Sequence, residues 1–69
     1  MPTIKQLYRQ TGLNQAELAR RSRLSQNTVR KAENGEKVSS ATALAIAEAF
    51  SEILGRRVLV GEISDLNIE

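Results

Sequence analysis

The stretch LSQNTVRKAENG, residues 24–35, concentrates side chains able to recognise planar hydrogen-bonding groups. On a helical wheel at ~100° per residue with Val29 at zero, Ala32 lies ~60° to one side and Glu33 ~40° to the other. These three face inward. Asn27, Arg30, Lys31 and Asn34 fall on the opposite arc, and Gln26 sits at the first turn, where side chains project past the helix end. The outward face offers amides, a guanidinium and an ammonium, with no acid among them. Gln and Asn pair bidentately with adenine edges, and Arg or Lys with guanine. Taken alone, the same pattern describes a solvated helix surface. Glu33 raises a separate question, because a carboxylate near the core needs hydrogen-bond donors.

Positioning that face requires other elements. Ile4, Leu7 and Tyr8 fall at i, i+3, i+4 and predict a first helix over 2–11, with Pro2 in its first turn and Gly12 at its end. Asn14 with Glu17 makes a capping box opening a second helix that runs to about Ser22, with apolar positions Ala16, Leu18 and Ala19. Ser25 caps the third helix, 26–33, which stops at Asn34-Gly35. Ser39 caps a fourth, in which Ala43, Ile46, Ala47, Phe50, Ile53 and Leu54 share one face before Gly55. The expected class is all-α, four to five helices over residues 1–55, followed by a short tail, 56–69. In that tail Val58, Leu59 and Val60 form a short apolar run with two β-branched residues that could make a short strand.

Composition removes many functions. With no cysteine and no histidine among 69 residues, there are no disulfides, thiolate metal sites or imidazole bases. No cofactor, metal or catalytic residue is expected. Glu48 and Glu52 are an ordinary i, i+4 pair on an exposed face, and Gly35, Gly55 and Gly61 do not make a phosphate loop. The stretch around 41–54 is interrupted by Thr42, Glu48, Ser51 and Glu52, so no membrane span is expected; MPTIKQ lacks a signal-peptide segment, and a cytoplasmic location follows by default. The net charge of +2 conceals an asymmetry. Residues 1–37 carry eight Lys/Arg against three acids, a net +5, while residues 38–69 carry two against five, a net −3. A basic half on an acidic half suggests one side facing a polyanion.

The run NQAELARRSRLSQNTVRKAENG resembles the helix-turn-helix of the phage repressor and Cro family, also called the XRE family. Its specific parts are GLNQAELA (12–19), the Ser25 cap with Thr28-Val29, and ENG (33–35), and the resemblance covers residues 4 to about 54. Helices 2 and 3 are separated by Arg23, Leu24 and Ser25, the connection length of that motif. The resemblance implies a lambda-repressor-like fold and binding of double-stranded DNA by a transcriptional regulator. Carried over by position, Gln26, Asn27 and Lys31 would read base edges, with Thr28 at a thymine methyl or phosphate and Arg30 near the same groove. Gln15, the caps Asn14 and Ser25, and the loop residues Asn34 and Lys37 would contact phosphates.

Three positions depart from the family pattern. Arg23 stands where Gly is common in the turn, Ala32 where a larger apolar residue is usual, and Tyr8 where relatives carry an Arg that pairs with the acid at position 33. Glu33 must then use the Tyr8 hydroxyl, Arg9 or loop amides, in a structural role joining helix 3 to helix 1. Arg20, Arg21 and Arg23 complement the dipole at the end of helix 2. Leu54, Val58, Val60, Ile63, Leu66 and Ile68 either fold back on the core or form a homodimer surface. Three functional readings remain open: a self-contained repressor, an antitoxin whose tail binds a toxin, or a DNA-targeting adapter in a larger assembly. A packed tail would favour the first.

Overall fold

Cap chemistry dictates where each helix starts. In the computed structural model, which describes residues 2–69, α1 spans Ile4–Thr11, α2 Gln15–Ser22, α3 Gln26–Glu33 and α4 Ser40–Leu54. Thr3, Asn14, Ser25 and Ser39 each accept a hydrogen bond from the backbone N–H three residues on. The first helix begins later than its apolar spacing suggests, because Thr3 and Gln6 form a reciprocal capping box that leaves Pro2 outside. At α2 only half of the expected box forms. Asn14 caps the Glu17 N–H at 2.9 Å, but the Glu17 carboxylate turns to Arg20 at 2.6 Å.

The turn between α2 and α3 closes with a left-handed residue. Arg23 has φ 61°, ψ 35°; its N–H reaches the Arg20 carbonyl at 3.3 Å and the Leu24 N–H reaches the Ala19 carbonyl at 2.9 Å. This is a Schellman closure built on a non-glycine residue. Gly35 (φ 79°) closes α3 in the same way, through Gly35 to Ala32 and Glu36 to Lys31.

Ile4, Leu7, Leu18, Val29, Ile46 and Phe50 form the centre of the core, with Ala32, Ala43 and Ala47 letting the helices approach closely. Ala16, assigned by spacing to the apolar side of α2, is exposed. Val58 and Ile63 are buried in the same core, and Leu54, Val60 and Leu66 pack against it; of the six tail residues considered for a dimer surface, Ile68 alone stays exposed.

No strand forms at 58–60. The Val58 N–H is taken by Ser51 Oγ at 2.8 Å, and Val60–Glu62 winds into a single 3-10 turn at Gly61. The two short strands lie elsewhere. Lys37–Val38 (β1) pairs in parallel with Asn67–Ile68 (β2), with Lys37 opposite Asn67 and Val38 opposite Ile68. The tail also ties down the chain's other end: Ser64 N–H donates to the Pro2 carbonyl at 2.9 Å, and Asp65 accepts from the Ile4 N–H at 3.2 Å.

A non-glycine residue in the left-handed region carries about 1–2 kcal/mol of strain, partly offset because glycine loosens the unfolded chain. Arg23→Gly is therefore expected to raise stability by roughly 0.5–1 kcal/mol. Urea unfolding monitored by circular dichroism checks this; a loss of stability would mean the Arg23 side chain contributes more than its backbone costs.

Candidate nucleic-acid interface

An eight-residue helix with two buried residues, Val29 and Ala32, could not persist alone. α3 is held by its cap, its Schellman closure and one polar joint beneath it. At that joint the Tyr8 hydroxyl donates to Glu33 Oε2 at 2.6 Å, and the Gln15 amide donates to the same oxygen at 3.4 Å. Arg9, an alternative partner, is exposed and makes no hydrogen bond or ion pair with Glu33 among the described residues, and no loop amide donates to Glu33. Tyr8 also meets Phe50 of α4, with ring centroids 6.1 Å apart at 48°. One tyrosine thus links α1 to α3 through its hydroxyl and to α4 through its ring.

Gln15 therefore has two tasks available to it. Its amide carries two N–H donors and one acceptor. A single long bond to Glu33 orients the group at the start of α2 while leaving donor capacity for a ligand. No acid–base pair joins Glu33 to any Lys or Arg among the described residues.

The outward face of α3 is exposed at Gln26, Asn27, Arg30 and Lys31, with Thr28 half-buried. Arg30 donates to Asn27 Oδ1 at 3.1 Å, and the Ser25 and Thr28 hydroxyls lie 2.8 Å apart. The structure thus brings Asn27 together with Arg30, and Ser25 together with Thr28. Asn27 keeps its NH₂ and one lone pair free, so the Arg30 contact fixes the amide without consuming it. Gln26, Lys31, Asn34 and Lys37 make no side-chain bond among the described residues and point outward as open donors.

The loop carrying Lys37 is braced from the far end of the chain. Asn67 Nδ2 donates to the Gly35 carbonyl at 2.6 Å, and the Glu69 N–H donates to the Val38 carbonyl at 3.0 Å. Residues 67–69 thus hold the loop after α3. Sequence reasoning overlooked them, since a two-residue strand has no periodicity to read.

The site is a polar, cationic helix seated across a tight helix-turn-helix, with helix N-termini and a braced basic loop beside it. That arrangement defines a DNA-binding helix-turn-helix domain. The family model described as Helix-turn-helix matches residues 4–52, and the chain belongs to this XRE-type family of DNA-binding transcription regulators. Comparison with curated proteins, and with solved structures, gives no match. No helix of the structure is long and apolar enough to cross a membrane. Among the described residues no group of His, Cys, Asp or Glu has the makings of a metal site.

Burial first, then the hydrogen bond to Glu33 and its negative charge, push the Tyr8 phenol well above its ordinary value. The folded state holds this proton more tightly than the unfolded chain does. The associated stability is complete below about pH 10 and is lost as pH rises beyond it. Tyr8→Phe is expected to cost roughly 1–3 kcal/mol at neutral pH, because Glu33 keeps only its long bond. It should also flatten the alkaline decline, measured by urea unfolding from neutral to alkaline pH. A variant as stable as the parent would show that Glu33 is satisfied by water.

Proposed function

We propose that the chain is a sequence-specific repressor that reads an operator in the major groove with α3, as a symmetric dimer on two half-sites. The observation that carries this reading is the exposed, acid-free face of Gln26, Asn27, Arg30 and Lys31 on a helix whose opposite side is fixed in the core. Gln26, Asn27 and Lys31 read base edges; Arg30 orients Asn27 and reaches base or phosphate; Thr28 meets a methyl or phosphate. Gln15, the N-terminal turns at Asn14 and Ser25, and Asn34 and Lys37 clamp the phosphates. The protein acts in the cytoplasm, where it blocks transcription by occupying DNA. The antitoxin alternative draws less support, because most of the apolar side chains of residues 56–69 are already engaged by the chain's own core.

Selection of bound sequences from a random duplex pool tests the reading directly, returning site, symmetry and spacing together. Gln26→Ala or Asn27→Ala is expected to cost about 1–3 kcal/mol at particular base pairs and to relax preference there. Uniform weakening on every sequence would move those side chains to the phosphates. Lys37→Ala should weaken specific and non-specific binding alike and reduce the salt slope by about one. An unchanged slope would take Lys37 off the DNA.

A further inference from the structure

Four asparagines stand in the chain, and Asn34 alone is followed by glycine. That pair has a chemistry of its own. The backbone nitrogen after an asparagine can attack the side-chain carbonyl and close a five-membered imide, one reason why asparagine counts as thermolabile. Gln15, Thr28 and Ile68 crowd the nitrogen that follows the other three, and two of them are β-branched, whereas Gly35 has no Cβ. Asn34 is exposed and its amide makes no hydrogen bond among the described residues, so the carbonyl carbon is open to attack.

The fold withholds the nucleophile instead. Asn34 has ψ 2°, which eclipses the Gly35 nitrogen with the nitrogen of Asn34 itself and sets it away from the Cβ branch. Ring closure needs it turned toward Cβ, about 3 Å from Cγ. The Gly35 N–H is also engaged, donating to the Ala32 carbonyl at 3.1 Å. Turning the peptide about the Asn34 Cα–C bond breaks this bond and the next one, from the Glu36 N–H to the Lys31 carbonyl at 3.0 Å. It also swings the Gly35 carbonyl, which Asn67 Nδ2 holds at 2.6 Å. The same amide group covers Gly35, lying 3.7 Å from where a Cβ would stand.

We propose that Asn34 and Gly35 form a self-modification site that the tail keeps latent: opening of the loop, restrained by Asn67, lets Asn34 become a carboxylate and weakens the hold on DNA. The Gly35 nitrogen bonds to Asn34 Cγ, the Cγ–Nδ2 bond breaks, and Nδ2 leaves as ammonia with the Gly35 proton. Water, the only co-reactant, then cleaves one of the two imide C–N bonds. Scission at Cγ leaves aspartate. Scission at the backbone carbonyl leaves isoaspartate, with the main chain rerouted through the side chain. Either product puts a negative charge on a loop assigned to phosphates, where it is repelled. The loss of binding rests on the operator reading; the reaction and its latch do not.

The test incubates the full chain without DNA at mildly alkaline pH, folded and in urea. The peptide containing Asn34 is followed by mass spectrometry after digestion in acid, where the reaction stops. Conversion in urea should be about tenfold faster or more, since opening costs free energy only in the folded chain. Asn67→Ala should speed conversion of the folded chain several-fold, with circular dichroism verifying the fold. Asn67→Asp, which keeps the side-chain size but has no N–H to donate, should do the same and stands in if the alanine variant unfolds. Asn34→Gln, whose ring would be larger, should stay unconverted. Equal rates with and without urea, or Asn67 variants no faster than the wild type, overturn the latch. On DNA, Asn34→Asp should weaken binding to every duplex several-fold. Unchanged binding by that variant overturns the effect on DNA. A wild type that binds no duplex overturns the operator reading instead, while the conversion rates still decide the latch.

Discussion

The Glu33 carboxylate sits at the C-terminal end of α3 and is held there by two neutral donors, a phenol and an amide. Everything that faces outward depends on that joint. Tyr8 brings α1 and, through Phe50, α4; Gln15 brings the first turn of α2; Glu33 itself is the last residue of α3. Four helices meet through one carboxylate. A cation in the place of Tyr8 would neutralise the charge, but a phenol leaves it intact and relies on hydrogen bonding alone. The cost is a phenol that cannot ionise without destabilising the fold; the gain is an aromatic ring that fills the space against Phe50.

The joint fixes where α3 lies, and the two ends of the chain fix what surrounds it. Asn67 and Glu69 reach the loop that ends α3, while Ser64 and Asp65 reach the residues that begin α1. A two-residue parallel ladder contributes little stability by itself. Its value is positional: it removes freedom from a glycine-containing loop whose lysine is otherwise open to solvent. Contacts between residues more than thirty positions apart thus converge on one short loop, so loosening the tail would loosen the loop.

The helices were legible because caps are local. Asn14, Ser25 and Ser39 each declare a start within three residues, and Gly12, Gly35 and Gly55 each declare a stop. Thr3-x-x-Gln6 carried the same signal and was outweighed by a proline and an apolar triplet, which placed the start of α1 too early. The need of a carboxylate for donors points to the Tyr8 hydroxyl, Arg9 or loop amides alike, while Gln15 reads only as a phosphate contact; of these the structure uses Tyr8 and Gln15. Whether a polar side chain at the edge of a helix's inward face reaches a neighbouring helix depends on packing angles that no local pattern encodes. The tail was least legible. Three β-branched or apolar residues at 58–60 have strand propensity, but the hydroxyl of Ser51, seven residues earlier, captures the backbone that a ladder would need. Propensity yields to tertiary hydrogen bonding when the segment is this short.

The division of charge follows from the same economy of space. α3 can be almost wholly polar because its own propensity is not what keeps it helical; Val29 and Ala32, fully buried, together with the cap and the closure do that. With inward duties confined to three positions, the remaining five are free to carry amides, a hydroxyl and cations. Two of the acids, Glu48 and Glu52, lie on the outer face of α4, whose inner face is alanine-rich. Arg21 and Arg23 line a cleft with those two acids without forming an ion pair, which leaves both sets solvated. On the proposed reading, the basic face bearing α3 turns toward a duplex and the outer side of α4 away from it, so that long-range attraction selects the side on which short-range hydrogen bonds act.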